Sequence, residues 1–132
     1  MNYVDTSFIA LPLLGQQGAA HADALLHEAM RRGGLISSML LQIELFRLAR
    51  RTGTSTTRVQ EVLDEVHLVR IDDEVVERAC ALTGQLKSLD AIHLATAQLL
   101  NDPRDPLTLL THDAQLAAAA RTSGIGVVDP LT

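Results

Sequence analysis

Aromatic residues, cysteine and long apolar runs are scarce in this sequence, and each scarcity excludes a class of function. Tyr3, Phe8 and Phe46 are the only aromatic side chains, so stacking of nucleobases on an aromatic platform is not expected. Cys80 is the only cysteine, which excludes an internal disulfide and gives no indication of an oxidising compartment. No apolar run approaches the roughly 18 residues that a membrane span needs, so no membrane association is expected.

Length and composition predict one globular domain in the cytoplasm. The chain has 132 residues, of which 47% are hydrophobic, and it can bury a sizeable core without disulfides. We therefore expect residues 1–132 to form a single domain. The first residues, Met1-Asn2-Tyr3-Val4-Asp5, lack the basic region and the cleavage site of a signal peptide, which makes a soluble cytoplasmic protein the default expectation.

Predicted strands alternate with predicted helices, a pattern typical of a parallel sheet that helices cover on both faces. The predicted strands are 2–5, 35–37, 67–71, 107–111 and 125–128. Helices are predicted over 19–32, 39–51, 54–66, 89–100 and 114–122, and another runs from Asp72 or Asp73 to Gly84. Ser38, Ser88 and one of the two aspartates are the predicted N-caps.

Four acidic residues stand where apolar segments turn polar: Asp5, Glu44, Asp90 and Asp113. The first and last follow predicted strands, and the other two lie in early turns of predicted helices. Ligands of open α/β sheets gather at the carboxyl ends of the strands, so we expect all four side chains on one rim. The net charge is −5, from 11 basic and 16 acidic residues, and would be −1 without these four carboxylates. That balance argues against a general electrostatic nucleic-acid binder.

A divalent cation is the expected partner of these acids, because burying an unpaired carboxylate costs several kcal/mol or forces it to take up a proton. An all-oxygen site favours Mg²⁺ or Mn²⁺ over zinc or copper. Such an ion lowers the pKa of a bound water and steadies the leaving oxygen of a phosphodiester. Thr6, Ser7 and Thr111 offer hydroxyls beside the acids for a metal-bound water or a phosphate oxygen, although helix capping accounts equally well for the two threonines.

Several of these residues also have a purely structural explanation. Glu44 can pair with Arg47 or Arg50 of its own helix, and a carboxylate at Asp90 is favoured by the helix dipole alone. His93 is expected to pack against its helix and His112 to face solvent, rather than to form half of a zinc site. Metal-free RNA cleavage usually needs histidine or lysine as acid and base, and the chain has a single lysine.

These motifs resemble the PIN-domain nucleases and, within them, the VapC-type toxins of bacterial toxin–antitoxin pairs. The resemblance runs nearly end to end and includes Tyr3-Val4-Asp5-Thr6-Ser7, Glu44, Leu89-Asp90-Ala91-Ile92-His93-Leu94-Ala95-Thr96-Ala97, Thr111-His112-Asp113, Gly124 and Pro130. The string from Leu89 to Ala97 is the most specific element. Two departures, Pro12 in the first helix and Lys87 where an arginine is expected, affect groove geometry and substrate handling but no metal ligand.

The resemblance implies a three-layer α/β fold with a five-stranded parallel sheet and an endoribonuclease that depends on Mg²⁺ or Mn²⁺. It implies that Asp5, Glu44, Asp90 and Asp113 are the metal ligands and catalytic residues, and that a metal-activated water hydrolyses the RNA phosphodiester. Ser7 would help to shape the site. It also implies a homodimer and a cognate antitoxin that covers an apolar groove near the run Phe8–Leu14 and places a basic side chain in the acidic pocket.

Other functions remain open at this point. A housekeeping PIN nuclease fits the same residues, as does a PIN-like fold kept only for binding. A phospho-receiver module needs paired acids after its first strand, whereas Thr6 follows Asp5, and a phosphatase with an Asp5 nucleophile needs an acid where Ser7 stands. RNA is expected to contact a local basic rim made of Arg47, Arg50, Arg51, Arg58 and Lys87.

Overall fold

A five-stranded parallel sheet forms the centre of the computed structural model, which describes residues 1–131. Its strands are β1 (Asn2–Val4), β2 (Leu35–Ser38), β3 (Val66–Val69), β4 (Thr108–Leu110) and β5 (Gly126–Val128). They lie in the order β3-β2-β1-β4-β5, and every neighbouring pair is parallel. The predicted five-stranded parallel sheet is therefore confirmed.

Helices cover both faces of the sheet. They are α1 (Thr6–Leu14), α2 (Ala19–Arg31), α3 (Leu40–Thr52), α4 (Thr56–Leu63), α5 (Asp73–Ala81), α6 (Ser88–Leu100) and α7 (Ala114–Thr122). One face packs against α1 to α4, and the other packs against α6 and α7, with α5 on α6. The predicted three-layer architecture is confirmed. Within residues 1–131 no helix is both long and apolar enough to span a bilayer.

Alternation along the central strands divides the hydrophobic core into two clusters. Val4 and Leu110 join Phe8 and the other buried residues of α1 to α4. Tyr3 and Leu109 point to the opposite face, among buried residues of α6 and α7. A one-residue shift of β1 would exchange these two faces, so the core itself fixes where the strand ends and where Asp5 begins.

Two predicted helix ends and two predicted N-caps were wrong. The helix predicted over 54–66 is α4, which ends at Leu63 because Val66 already pairs with Leu35 in the sheet. The helix predicted to reach Gly84 ends at Ala81, since Leu82 has an extended backbone. Ser38 is the last residue of β2, with Met39 at the N-cap position of α3, and Ser88 is the first residue of α6 and not its cap. Asp72 does cap α5 by accepting from the Val75 backbone N–H.

The strand order also fixes the position of the carboxyl ends that matter for a site. β1 lies at the centre, with β2 and β3 on one side and β4 and β5 on the other. The chain therefore leaves β1 and β4 in opposite directions, and the gap between those two strand ends is the switch point where α/β sheets usually bind ligands. Asp5 directly follows β1, and Asp113 lies just after β4.

Candidate active site

Asp5 is the most deeply buried of the four predicted site residues. Its side chain is 4% exposed, because β1 ends between the sheet and the first turn of α1. Its backbone N–H donates to the Leu110 carbonyl at 3.2 Å, which continues the β1–β4 ladder by one residue. Ser7 Oγ donates to Asp5 Oδ1 at 2.8 Å. Asp5 therefore has hydroxyl partners, but no cationic side chain among residues 1–131 forms an ion pair with it.

Hydroxyl groups connect Asp5 to the segment that follows β4. Ser7 Oγ lies 3.1 Å from Thr111 Oγ1 and accepts from the His112 backbone N–H at 2.8 Å. Thr111 Oγ1 in turn accepts from the Asp113 backbone N–H at 3.0 Å. Ser7 and Thr111 thus hold the two strand ends together. Both hydroxyls therefore lie beside the acids, as the sequence predicted.

Asp113 has a structural task as well as a place at the candidate site. It is the N-cap of α7, and its Oδ1 accepts from the backbone N–H groups of Gln115 and Leu116 at 2.9 and 3.0 Å. Capping of this kind is worth about 1 kcal/mol. The cap occupies one carboxylate oxygen and fixes the side chain, so Oδ2 is the oxygen that Asp113 can offer to a ligand.

Glu44 reaches the same edge of the sheet from the second turn of α3. Its Oε1 accepts from Thr6 Oγ1 at 2.8 Å and contacts His93 Nε2 at 2.7 Å. Pairing with Arg47 or Arg50, the structural alternative considered for Glu44, does not occur, because both arginines are exposed and neither forms an ion pair with it. Thr6 is the first residue of α1, so its hydroxyl joins the two helices at the site.

The four carboxylates interact electrostatically, and burial and like charge raise the pKa of two of them. Burial, opposed by His93 and by hydrogen bonds from Ser7 and Thr111, raises the pKa of Asp5 to about 6. Burial and the neighbouring negative charge of Asp113 raise the pKa of Asp90, with a smaller contribution from Glu44. Asp113 also contributes to the raised pKa of Asp5. The predicted grouping of the acids on one rim agrees with these mutual influences.

The donor set suits a hard cation in its chemistry but is not gathered into a finished ligand cage. Within residues 1–131 no three His, Cys, Asp or Glu side chains stand close enough together to hold a metal ion unaided. Hydrogen bonds occupy Glu44 Oε1 and Asp113 Oδ1, which leaves one oxygen on each. Mg²⁺ commonly keeps several waters and takes only one or two carboxylates directly, so such an open arrangement is compatible with it. The assignment of these four residues as metal ligands remains a prediction.

Two histidines differ in how well their surroundings were predicted. His93 is buried at 2% exposure, as expected for a packed helix residue, but it also bridges Tyr3 and Glu44. His112, expected to face solvent, is partly exposed, and its Nδ1 also lies 2.9 Å from the Asp129 carboxylate. Asp129 was not singled out from the sequence. It follows β5, so the rule that selected Asp5 and Asp113 as polar residues after strands would have found it.

The structure separates Arg58 from the other residues of the predicted basic rim, Arg47, Arg50, Arg51 and Lys87. Arg47 and Arg51 lie three and seven residues after Glu44 on α3, on the same side of that helix, and Lys87 lies three residues before Asp90. All three side chains are exposed. Arg58 does not belong with them, because it lines a groove between α1, α2 and α4 to which none of the four carboxylates contributes.

The whole chain is similar to known proteins of one family. The family model described as "PIN domain" matches residues 3–122. The chain belongs to the PIN-domain family. Ribonuclease VapC46 of Mycobacterium tuberculosis (strain ATCC 25618 / H37Rv) is 34% identical over 130 residues, which cover 97% of this chain and 96% of that protein. Ribonuclease VapC35 of Mycobacterium tuberculosis (strain CDC 1551 / Oshkosh) is also 34% identical, over 98% of this chain and 97% of the relative.

Solved PIN-domain structures agree with the fold. A toxin–antitoxin complex from Klebsiella pneumoniae contains a chain that superposes with a TM-score of 0.74 at 26% identity, covering 98% of both chains. Mycobacterium tuberculosis VapC20, described as a sarcin-ricin loop cleaving toxin, superposes with a TM-score of 0.70 at 19% identity, covering 90% of this chain and 95% of the other. The resemblance identified from the motifs is thus confirmed. VapC nucleases of the PIN family generally depend on a divalent metal ion.

Proposed function

We propose that this protein is a metal-dependent endoribonuclease and the toxin of a toxin–antitoxin pair, acting in the cytoplasm as a single PIN domain. The observation that carries the proposal is the arrangement of four mutually interacting carboxylates at the switch point of the sheet, without an arginine or lysine partner among residues 1–131. The end-to-end similarity to VapC ribonucleases supports the same activity.

The proposed ligands are the four carboxylates that the resemblance implies, and the positions of Asp5 and Asp113 just after β1 and β4 support the assignment. Asp5, Asp90 and Asp113 would hold Mg²⁺ or Mn²⁺, and Glu44 would hold it or orient the attacking water. The four carboxylates Asp5, Glu44, Asp90 and Asp113 form what we call the acidic edge. When bound, the cation would neutralise this edge and supply an activated water. Ser7 and Thr111 fix the spacing of the two strand ends, and Thr6 fixes the Glu44 carboxylate. Exposed Arg47 and Arg51 would contact RNA phosphates without reading bases.

Mapping of the cleavage products tests the reaction. Purified protein is incubated with end-labelled RNA in Mg²⁺, in Mn²⁺ and in excess EDTA. Because water attacks, the products should carry 5′-phosphate and 3′-hydroxyl ends, and EDTA should abolish cleavage. Products that end in 2′,3′-cyclic phosphate, or full activity in EDTA, would replace this proposal with a metal-free mechanism.

An antitoxin would occupy the groove between α1, α2 and α4, which we call the helical groove. Its volume is about 750 Å³. Most of the run Phe8–Leu14 is buried in the core and is not free for a partner, but Ile9, Pro12 and Leu13 reach the groove wall. The rest of the lining is apolar residues such as Leu26, Met30 and Val62, the three acids Asp23, Glu61 and Glu65, and the basic residues His27 and Arg58. An amphipathic segment with basic residues on its flank complements such a surface.

The toxin role has its own test, which separates it from a housekeeping nuclease. Induced expression in a bacterial host should arrest growth, and co-expression of a small protein encoded next to this gene should restore it. An Asp5→Asn protein expressed at the same level should leave growth unaffected. Normal growth during expression of a protein that cleaves RNA in vitro would favour the housekeeping function.

A homodimer is the proposed state of assembly. Met39, which precedes α3, Ile43 on α3 and Leu89 on α6 are exposed by 39%, 55% and 49%. Helices α3 and α6 are the ones that carry Glu44 and Asp90. Large apolar side chains exposed on two contacting helices favour association. Light scattering on the purified protein should give twice the chain mass, and Ile43→Lys should give the mass of one chain.

A further inference from the structure

We propose that Tyr3 and His93 are positioning residues that hold Glu44 so that only its Oε2 faces the acidic edge. This inference rests on the proposed nuclease function and defines how Glu44 takes part in it. The sequence predicts that Glu44 either binds the metal or orients the attacking water, and that His93 is a packed helix residue. Only the structure shows the hydrogen bond between the two side chains.

The two oxygens of the Glu44 carboxylate have different surroundings. Oε1 accepts from Thr6 Oγ1 at 2.8 Å and lies 2.7 Å from His93 Nε2. Two donors fill the two lone-pair directions of one carboxylate oxygen. No donor among residues 1–131 forms a hydrogen bond with Oε2. Glu44 therefore cannot bind a cation through both oxygens without losing a hydrogen bond, and it offers a single oxygen to an ion or a water.

Contacts with Tyr3 fix the orientation of the His93 ring. The ring is buried, its Nδ1 lies 2.7 Å from Tyr3 Oη, and the two rings meet edge to face at 81°. Tyr3 is fully buried, and its Oη accepts from the Ser38 backbone N–H at 3.2 Å. A tyrosine hydroxyl carries its proton at neutral pH. His93 Nε2 faces a carboxylate oxygen, which only accepts, and Nδ1 faces the Tyr3 hydroxyl, which can donate. Both contacts favour the tautomer with the proton on Nε2.

These hydrogen bonds restrict the Glu44 side chain. A glutamate on a helix has three rotatable side-chain bonds, and a free one would sample several positions at the site. Here the proton order Ser38 N–H, Tyr3 O–H and His93 Nε2–H ends on Oε1 and keeps the carboxylate in one orientation. Displacement of a catalytic group by about 1 Å can cost about 100-fold in rate, so the buried pair contributes to turnover without touching RNA.

Tyr3→Phe tests the proposal with the smallest change, because it removes one oxygen and keeps the ring. Nitrogen-15 spectra of the imidazoles, recorded at pH 8, report the tautomer of His93. The wild-type protein should show the proton on Nε2, and Tyr3→Phe should lose that preference. In Mn²⁺, kcat for RNA cleavage should fall about 10-fold, the lower end of what loss of a supporting hydrogen bond costs at metal sites, with KM unchanged within twofold.

Two controls separate positioning from general destabilisation. Ile125→Val changes a buried residue of the same core cluster, beside β5 and two strands away from β1, and should leave the tautomer and kcat as in the wild type. At position 93, glutamine retains an N–H donor where Nε2 stood, whereas leucine retains only volume. His93→Gln should therefore keep at least fivefold more kcat than His93→Leu, although both lose the ring.

The outcomes are distinguishable. A wild-type His93 with its proton on Nδ1, or a Tyr3→Phe protein with unchanged kcat, overturns the positioning role. Equal kcat for the glutamine and leucine variants at position 93 also overturns it. A wild-type protein that cleaves no RNA in either metal overturns the proposed nuclease function, and the tautomer measurement then still decides whether His93 donates to Glu44.

Discussion

The acidic edge and the helical groove both contain carboxylates, yet the same side chain has a different consequence in each. At the edge, Asp5 is buried and its pKa is raised by burial. In the groove, Asp23, Glu61 and Glu65 are exposed to water, which screens their charge. A bound cation would therefore offset the cost of burying a charged acid at the edge, whereas the exposed acids of the groove affect only which partner binds.

Helix α1 belongs to both regions. Its first turn supplies Thr6 and Ser7 to the acidic edge, and its later residues Ile9 and Leu13 supply the groove wall. Pro12 lies inside this helix and removes one backbone donor, but the helix continues to Leu14. A ligand that shifts α1 from the groove side would move the hydroxyls that hold Asp5 and Glu44. The two regions are thus structurally connected through nine residues.

Removal of one edge carboxylate should give the largest effect. Asp5→Asn and Asp113→Asn each keep the side-chain shape but remove a negative charge from the proposed cation site. Metal-ion catalysis contributes several kcal/mol, so initial rates of RNA cleavage should fall about 1000-fold. Asp64→Asn makes the same change at an exposed position and should cleave like the wild type. An Asp5→Asn protein with wild-type activity would exclude the proposed ligand role.

In the absence of metal, Asp5→Asn should make the folded protein more stable at neutral pH, although the same substitution lowers activity. Asp5 has a folded pKa of about 6 against 3.8 for the free side chain, so the folded state holds the proton more tightly. Its contribution to stability is fully present below pH 4 and is lost as the pH rises through 6. At about 1.4 kcal/mol for each pH unit, the loss amounts to at most about 3 kcal/mol.

Urea denaturation in EDTA measures this effect. Between pH 4 and pH 7 the unfolding free energy of the wild type should fall relative to that of Asp5→Asn, and at pH 7.5 the variant should be the more stable protein. Addition of Mn²⁺ should stabilise the wild type more than the variant. Parallel pH curves for the two proteins would contradict the burial of a charged Asp5.

The sheet, its parallel pairing and the carboxyl-end position of the acids were predictable because hydrophobic runs and strand ends are local features of the sequence. The ends of α4 and α5 were not, since pairing of Val66 in the sheet and the extended Leu82 depend on the assembled fold. For the same reason, the partners of Glu44 could not be read from its helix. Thr6 and His93 are 38 and 49 residues away in sequence.

A charge in the helical groove should affect the partner and leave the chemistry intact. Val62→Glu adds an acid beside Glu61 and Glu65 on a half-buried groove position. Loss of a central apolar contact commonly costs about 2 kcal/mol, so binding of the antitoxin should weaken about 30-fold. Val76→Glu, an identical change on exposed α5 outside the groove, is the matched control. Calorimetry with the purified antitoxin gives the affinities, and equal values for both variants would place the partner elsewhere.

The exposed arginines of α3 should give the smallest effect, because water and salt screen exposed charges. Arg47 is one turn from Glu44 and Arg51 is about 10 Å along the axis at 1.5 Å for each residue, so Arg47→Ala should raise KM more than Arg51→Ala. We expect KM to rise about threefold, kcat to stay unchanged, and the salt dependence of KM to lose about one unit of slope for each phosphate contact removed. Arg121→Ala, at the far end of α7, should change neither. A lower kcat at constant KM for Arg47→Ala would mean that Arg47 takes part in the reaction at the acidic edge and does not only bind RNA. Residues of α3 that bind RNA would then not be separate from those that act in catalysis.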